Sequence, residues 1–149
     1  MAGAVSSWAA GALLRFARLQ VAETSGERFL RLAAESRARI TEFEPYKAAQ
    51  AIKRGAALVD VREKEEFHRG HIQRALNLPR GTLELEIEKR FPNPELEMVL
   101  YCGAGNRSAL AADNLQRMGY TNIRVIEGGF QGWINAGLPA WQNRGLIED

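Results

Sequence analysis

Short apolar runs alternate with segments of helical periodicity along most of this chain. Residues 56–61, 98–101 and 123–126 are apolar almost without interruption, as strands buried on both faces of a parallel sheet are. Residues 40–43 (ITEF) and 75–78 (ALNL) are short stretches in which polar residues interrupt the apolar ones; we interpret both as strands and the first as an edge strand. The pattern therefore predicts five strands separated by helices.

The segments between these runs carry the signals of helix ends and helix faces. Pro45 and Gly55 stand where proline favours the first position of a helix and glycine favours its end. Leu83 and Ile87 are four residues apart, so they share one face of a second helix. We expect helices at residues 45–55, 81–90, 108–118 and 131–136, and a helical turn at 63–67. This alternation predicts an α/β fold with a central, mainly parallel sheet flanked by helices.

The first 40 residues differ from the rest of the chain in charge. They hold six arginines against three acids, a net +3, which leaves −1 for the remainder of a chain whose total is +2. Residues 24–27 have the spacing of a capping box before a helix that reaches about Arg39, and we expect its arginines to face solvent. We divide the chain into a helical, basic N-terminal extension (1–40), an α/β domain (41–141) and a C-terminal tail (142–149).

Residues 1–21 contain no acid and have the composition of a helix with a broad apolar face. We interpret them as an extension that packs on the domain or on a partner protein. An organellar transit peptide and a helix lying on a membrane surface are the alternatives. Residues 1–21 therefore do not decide between a cytoplasmic and an organellar location.

Length and composition narrow the classes of protein further. A chain of 149 residues suits one domain with an appendage. No run approaches the roughly 18 apolar residues of a membrane-spanning helix, and a net charge of +2 is too small to indicate nucleic acid binding. One cysteine excludes an internal disulfide, and as a thiolate it would favour a reducing compartment. We therefore expect a cytoplasmic location, with a mitochondrial or other organellar matrix as the alternative.

The only cysteine, Cys102, lies between a predicted strand and a predicted helix. Residues 103–106 are small, and glycine and asparagine tolerate the left-handed backbone that turns amide groups inward. The positive end of the following helix and Arg107 would add to the field at the sulfur. This arrangement favours a reactive thiolate. The alternative is a cysteine that is simply part of the core.

Three stretches together resemble the rhodanese family of sulfurtransferases. Residues 100–108 (LYCGAGNRS) resemble the family's active-site loop, residues 58–79 its first signature and residues 125–139 its closing signature, in the family's order. The resemblance covers about residues 41–141 and implies the rhodanese-like three-layer fold. One departure is Arg74, where single-domain members usually have a glycine in the turn.

The resemblance also implies a reaction. The cysteine thiolate would attack the outer sulfur of a sulfane donor and become a persulfide, which cyanide or another thiol would then remove. Loop amides would stabilise the persulfide anion, and neither a metal nor an organic cofactor is needed. Asp60 and Arg62, at the end of a strand, would support the loop, bind substrate or only hold neighbouring loops together. The implied site consists of catalytic Cys102 with Gly103, Ala104, Gly105, Asn106, Arg107 and Ser108 of the loop.

The loop also bears on the substrate. Thiosulfate-specialised members often carry a basic residue inside it, whereas residues 103–106 are uncharged here. We therefore expect a small anionic sulfur donor, weak affinity for thiosulfate, and cyanide or a thiol as acceptor. His68 and His71 lack a third ligand nearby in the sequence, so we predict no metal site.

Two other functions remain open at the level of sequence. The domain could be a non-catalytic protein-binding module in which the cysteine is incidental. It could also be a phosphatase or arsenate reductase, because a related fold uses a cysteine-to-arginine loop for tetrahedral oxyanions. Those phosphatases have C-x5-R, whereas Cys102 to Arg107 is C-x4-R. The shorter spacing narrows the cradle and favours sulfur.

Overall fold

The computed structural model describes residues 26–143, and its centre is a five-stranded sheet in which every pair of neighbouring strands is parallel. The strands are β1 (Glu42–Phe43), β2 (Ala57–Asp60), β3 (Gly70–His71), β4 (Leu76–Asn77), β5 (Met98–Tyr101), β6 (Ile123–Ile126) and β7 (Trp141–Gln142). The spatial order of the sheet is β1-β6-β5-β2-β4, and a separate antiparallel ribbon joins β3 to β7.

Helices cover both faces of the sheet, because the strands at its centre bury side chains on both. Along β5, Met98 and Leu100 enter one apolar cluster, whereas Val99 and Tyr101 enter the other. This three-layer α/β arrangement confirms the predicted fold class. The helices are α1 (Glu27–Arg37), α2 (Pro45–Lys53), α3 (Lys64–Arg69), α4 (Leu83–Arg90), α5 (Asn106–Arg117) and α6 (Gly129–Asn135).

Helix α2 shows how local sequence sets these elements. Pro45 occupies its first position, and the carboxylate of Glu44 accepts hydrogen bonds from the amides of Tyr46 and Lys47. Beyond its end, Gly55 adopts a left-handed backbone with φ of 109°. The helix then packs Ala48 and Ala51, both fully buried, against the sheet face that includes Tyr101.

Two helices begin earlier than their sequence pattern predicts. Helix α5 starts at Asn106 instead of residue 108, and α6 starts at Gly129 instead of residue 131. In both, the residue before the helix is a glycine with a left-handed backbone, Gly105 (φ 108°) and Gly128 (φ 74°). A turn of this kind starts a helix without the polar side-chain cap by which sequence analysis recognises a first turn.

Arg74 adopts a left-handed backbone with φ of 71°, the only such value among the non-glycine residues of the described chain. It is the third residue of a turn that the hydrogen bond from Ala75 N–H to Ile72 O closes at 3.1 Å. A turn with positive φ at this position favours glycine. The departure noted in the sequence is therefore a site of backbone strain far from Cys102 in the chain.

The chain divides into two compact units, residues 1–30 and 31–149. Of the first unit, residues 26–30 are described, and they hold the start of α1. The helix predicted within residues 1–21, and Thr24 and Ser25 of the predicted capping box, lie outside the described residues. Within residues 26–143, no helix is long and apolar enough to cross a membrane.

Candidate active site

Cys102 follows β5 directly and lies beneath the first turn of α5. Its side chain is buried, with 1% of the residue exposed. The amide of Gly105 donates a hydrogen bond to the Sγ atom at 3.1 Å, and the Ser108 hydroxyl lies 3.3 Å from the same sulfur. One amide and one hydroxyl of the cysteine loop (residues 102–108) therefore converge on the sulfur atom at the positive end of a helix.

The outer side of the cysteine loop is held by the start of α6. The amide of Phe130 donates to the carbonyl of Cys102 at 2.7 Å, and the amide of Gln131 donates to the carbonyl of Gly103 at 3.1 Å. The two backbones approach so closely that a Cβ atom on Gly129 would lie 2.5 Å from the Cys102 carbonyl oxygen. The carbonyls of Cys102 and Gly103 therefore accept hydrogen bonds from α6 and point away from the sulfur. The side of the loop that faces the sulfur presents the Gly105 amide.

Ser108 has one hydroxyl hydrogen and two partners for it. Its Oγ atom lies 3.2 Å from the carbonyl oxygen of Gly105 and 3.3 Å from Cys102 Sγ. With a neutral thiol, the hydroxyl can donate to the carbonyl and accept from the thiol. With a sulfur anion, the hydroxyl can rotate and donate to the sulfur. The site can therefore stabilise negative charge on sulfur by turning one side chain.

Arg107 is bound by Glu66, a residue that the sequence analysis did not place in the site. Two guanidinium nitrogens of Arg107 donate to the two carboxylate oxygens of Glu66, at 2.7 and 2.9 Å. These hydrogen bonds lower the pKa of Glu66 to about 2 and raise the pKa of Arg107. The positive charge of Arg107 is therefore offset by a carboxylate from α3.

Asp60 and Arg62 form a buried ion pair at the end of β2. Asp60 is fully buried and Arg62 is 5% exposed, and the Arg62 guanidinium donates to the Asp60 carboxylate at 2.7 Å. Arg62 also donates to the carbonyl of Gly70 at 2.7 Å and stacks over the ring of Phe130, 4.5 Å from its centre. Its charge thus ties β2 to the ribbon and to the helix that holds the cysteine loop.

A cavity of about 190 Å³ opens beside this pair. It adjoins the site through Glu66, which binds Arg107, and Phe130, whose amide binds the Cys102 carbonyl. None of residues 102–108 lines this cavity, so it lies beside the groups that hold the cysteine loop and not at the sulfur itself. The cavity is lined by Arg62, Glu66, Arg69, Gly70, Phe130, Gln142 and Asn143.

The two histidines both pack against the ring of Phe67. The ring of His71 stacks on Phe67 with 3.8 Å between ring centres, and its Nδ1 atom lies 2.9 Å from the Phe67 carbonyl oxygen. His68 meets the edge of the same phenyl ring. Within residues 26–143, no group of three or more His, Cys, Asp and Glu side chains is placed to hold a metal ion.

Arg37, at the end of α1, also contacts the cysteine loop. Its Nη2 atom donates to the side-chain oxygen of Asn106 at 3.0 Å. The arginines of the first helix were expected to face solvent. Arg37, its last residue, and Arg39, just beyond it, are 39% and 58% exposed, but each also pairs with a side chain of α5. No sequence signal links Arg37 to Asn106, because 69 residues separate them.

Comparison with known proteins agrees with this geometry. The family model for the rhodanese-like domain matches residues 44–136. A Schizosaccharomyces pombe protein named "Putative thiosulfate sulfurtransferase, mitochondrial" is 37% identical over 91 residues, which are 54% of this chain and 64% of that protein. The chain thus spans just under two thirds of that relative's length. The thiosulfate sulfurtransferase GlpE of Haemophilus influenzae is 33% identical over 99 residues, 66% of this chain and 91% of that protein.

Solved structures give the same result for the fold. The polysulfide-sulfur transferase homodimer of Wolinella succinogenes superposes with a TM-score of 0.70 at 26% identity, over 85% of this chain and all of that one. The family match covers more than half of the sequence and includes the strand, loop and helix that surround Cys102. The sequence match shows that the chain belongs to the rhodanese-like family, and the parallel sheet and the position of Cys102 at the start of a helix agree with it.

Proposed function

We propose that this protein is a sulfurtransferase that carries sulfane sulfur as a persulfide on Cys102. The observation that supports the proposal best is the convergence of the Gly105 amide and the Ser108 hydroxyl on a buried cysteine sulfur, at 3.1 and 3.3 Å. These donors suit an anion on sulfur both before and after the transfer. Family membership, with relatives named thiosulfate sulfurtransferase, supports the same reaction class.

With thiosulfate as donor, the reaction divides into two displacements. The Cys102 thiolate attacks the outer sulfur, the new S–S bond forms, and the S–S bond of thiosulfate breaks with sulfite as the leaving group. Cyanide or a thiolate then attacks the outer sulfur of the persulfide, which gives thiocyanate or a new persulfide and restores the cysteine thiolate. Each step replaces one anion by another, so the fixed donors of the loop serve both.

The charges around the loop bear on the choice of donor. Arg107 is paired with Glu66, and Arg37 is paired with Glu42 at 2.5 Å. Neither guanidinium is therefore a free cation for a doubly charged sulfonate, and residues 103–106 carry no charge. This supports weak thiosulfate affinity and a physiological donor held mainly by backbone amides, such as a persulfide or polysulfide. A Michaelis constant for thiosulfate in the micromolar range would contradict this.

The same contacts weigh against phosphoryl chemistry. In a cradle for a tetrahedral oxyanion the arginine would face the anion, whereas Arg107 directs two of its nitrogens to Glu66. The C-x4-R spacing also leaves one loop amide fewer than C-x5-R does. A phosphatase or arsenate reductase is therefore a weaker candidate than a sulfurtransferase. A binding module is also a weaker candidate, because it would not need hydrogen-bond donors directed at the sulfur.

The test is the intact mass of the protein after incubation with thiosulfate or with a polysulfide, followed by cyanide. We expect wild type to gain one sulfur atom, about 32 Da, and to lose it with cyanide, as a persulfide intermediate requires. Cys102→Ala should gain nothing. Cys102→Ser is the matched variant, because it keeps the shape of the side chain and removes the sulfur nucleophile.

The result would overturn the proposal if wild type gained no sulfur from either donor. Hydrolysis of an aryl phosphate by wild type, and its absence in Cys102→Ser, would then identify a phosphatase. If neither reaction occurred and Cys102→Ser kept the cellular role, the domain would be a binding module. Location in the cytoplasm or in an organellar matrix, and a protein partner for the extension, stay predictions.

A further inference from the structure

Arg37 reaches the cysteine loop from outside the family domain. The family match begins at residue 44, whereas Arg37 ends α1. Its guanidinium joins two groups, since Nη2 donates to Asn106 Oδ1 at 3.0 Å and Nε pairs with the Glu42 carboxylate. The side chain of Arg37 is 39% exposed and that of Glu42 is 24% exposed. Arg37 is thus a bridge from the edge strand β1 to the first residue of α5.

The bridge ends next to the backbone group that binds the sulfur. Asn106 directly follows Gly105, whose amide donates to Cys102 Sγ. Gly105 itself has φ of 108°, and a Cβ atom placed on it would lie 3.5 Å from Arg37 Nη2. A glycine can adopt many backbone conformations because it lacks a side chain, so its own residue type does not restrict the direction of its amide. The neighbouring Arg37–Asn106 contact restricts that freedom.

From this placement we propose that Arg37 is a positioning residue for sulfur transfer. By holding the Asn106 side chain it keeps the Gly105 amide directed at the sulfur of Cys102. It does not touch the sulfur donor, and its charge is shared with Glu42. The proposal rests on the sulfurtransferase function for its effect on rate, but its effect on the loop does not depend on that function.

Arg39 provides a matched control. It lies two residues further along the chain and also pairs with α5, through hydrogen bonds of 2.6, 3.0 and 3.1 Å to Asp113. Asp113 is about two turns beyond Asn106 in the same helix. Arg39→Ala therefore removes an attachment of this segment to α5 without a contact to the cysteine loop.

The first measurement is amide hydrogen exchange by NMR. We expect Arg37→Ala to speed exchange of the Gly105 amide by about fivefold, the effect of losing one ordinary hydrogen bond. The amide of Val61, which donates to the Tyr101 carbonyl at the ends of β2 and β5, is the reference and should not change. Arg39→Ala should leave the Gly105 amide unchanged relative to Val61. The double variant Arg37→Ala/Asn106→Ala should exchange no faster than either single variant, because both remove the same contact.

The second measurement is the single-turnover rate of sulfur loading on Cys102 at increasing donor concentration. Arg37→Ala should lower the limiting rate by about fivefold and change the half-saturating donor concentration by less than about twofold. Arg37→Lys should recover part of the rate, since an ammonium can donate to Asn106 but cannot also reach Glu42 with a planar fork.

Failure of the Arg37 proposal can be distinguished from failure of the sulfurtransferase proposal. If Gly105 exchange in Arg37→Ala matches wild type, the positioning role is wrong whether or not sulfur is loaded. If the exchange rises but the limiting rate stays constant, the contact orders the loop without serving transfer, and the proposal is also wrong. If wild type loads no sulfur at all, the proposed function fails, and the exchange data alone decide whether Arg37 orders the loop.

Discussion

Gly129 lies so close to the cysteine loop that one added carbon atom would collide with it. A Cβ atom there would be 2.5 Å from the Cys102 carbonyl oxygen and 2.8 Å from the carbonyl of Gly103. The residue also has φ of 60°, in the left-handed region. Both facts follow from the turn that directs the first amides of α6 at the loop carbonyls. A side chain at this position would therefore act on the shape of the site itself.

We expect Gly129→Ala to lower the free energy of unfolding by about 3 kcal/mol, the sum of overpacking and left-handed strain. It should also abolish sulfur loading, because the loop must move away from α6. Urea unfolding and intact mass would measure the two effects.

Substitutions at two other glycines separate the effect of the close contact from the effect of left-handed strain. Gly119→Ala has positive φ but open space around the added atom, so it should cost only the strain, about 1 kcal/mol, and keep activity. Gly81→Ala has neither the positive φ nor a close neighbour and should be neutral. Equal losses at Gly129 and Gly119 would show that the contact with the loop is unimportant.

At the scale of elements, the contact between α3 and α5 is carried by Glu66 and Arg107. Helix α3 is only six residues long and has no buried residue, and its contacts through Phe67 and Arg69 run to the β3–β7 ribbon and the residue after it. Its capping box, in which the Glu66 carboxylate accepts from the Glu63 amide at 3.0 Å, uses the same side chain that binds Arg107. One carboxylate therefore both starts α3 and attaches it to α5.

This pair predicts a pH dependence of stability. The pKa of Glu66 is about 2 in the folded protein against an ordinary value of 4.5. Its contribution is present above pH 4.5 and is lost as the pH falls from there towards 2. Glu66→Gln should therefore lower the free energy of unfolding by about 1 kcal/mol at pH 7, a value reduced by solvent screening because the Arg107 and Glu66 side chains are 33% and 30% exposed.

Urea unfolding of wild type and Glu66→Gln at pH 7, 4 and 2.5 would measure the difference, which should shrink below pH 4.5 and be smallest at pH 2.5, where most but not all of it is lost. Glu86→Gln is the control, since Glu86 pairs with Lys89 on the surface of a single helix and should show no such trend. A difference that stayed constant down to pH 2.5 would contradict the assignment to Glu66 ionisation.

The helices and strands were more predictable from the sequence than the contacts between them. Residues 98–101 and 123–126 were predicted as strands at the bounds that the structure has, because an apolar run of this length suits a strand buried on both faces. The placement of Cys102 between a strand and a helix was also predictable. Glu66 and Arg37 were not, because they meet Arg107 and Asn106 across 41 and 69 residues of chain. Such pairs depend on the folded arrangement, which periodicity does not report.

At the scale of the whole molecule, the Asp60–Arg62 pair joins the sheet to its surroundings. Asp60 ends β2, and Arg62 reaches the Gly70 carbonyl of the ribbon and the Phe130 ring of α6. The side-chain amide of Asn77 donates to the carbonyls of both Asp60 and Arg62, at 3.1 and 2.9 Å. These contacts favour the supporting role that the sequence left open for the two residues.

Removing one member of this pair should destabilise the whole fold. Arg62→Met leaves the Asp60 carboxylate buried without a counter-charge, which costs about 3–5 kcal/mol. The double variant Asp60→Asn/Arg62→Met should be more stable than Arg62→Met alone, since no uncompensated charge remains. Urea unfolding of the three proteins measures this.

Arg54→Met is the control, because the Arg54 pair with Glu97 is exposed to solvent and should contribute little to stability. If Arg62→Met unfolded with wild-type stability while sulfur loading was lost, Arg62 would belong to substrate binding instead of support.

The division of labour within the cysteine loop has a consequence for evolution. The sulfur is held by a backbone amide and a buried serine, whereas Ala104 is exposed at the rim of the loop. Mutations at the rim can therefore change which molecules are admitted without disturbing the groups that stabilise the sulfur anion. Proteins that share this loop can therefore change their substrate range through single substitutions at the rim while the chemistry at the sulfur is unchanged. Laboratory selection can use the same positions.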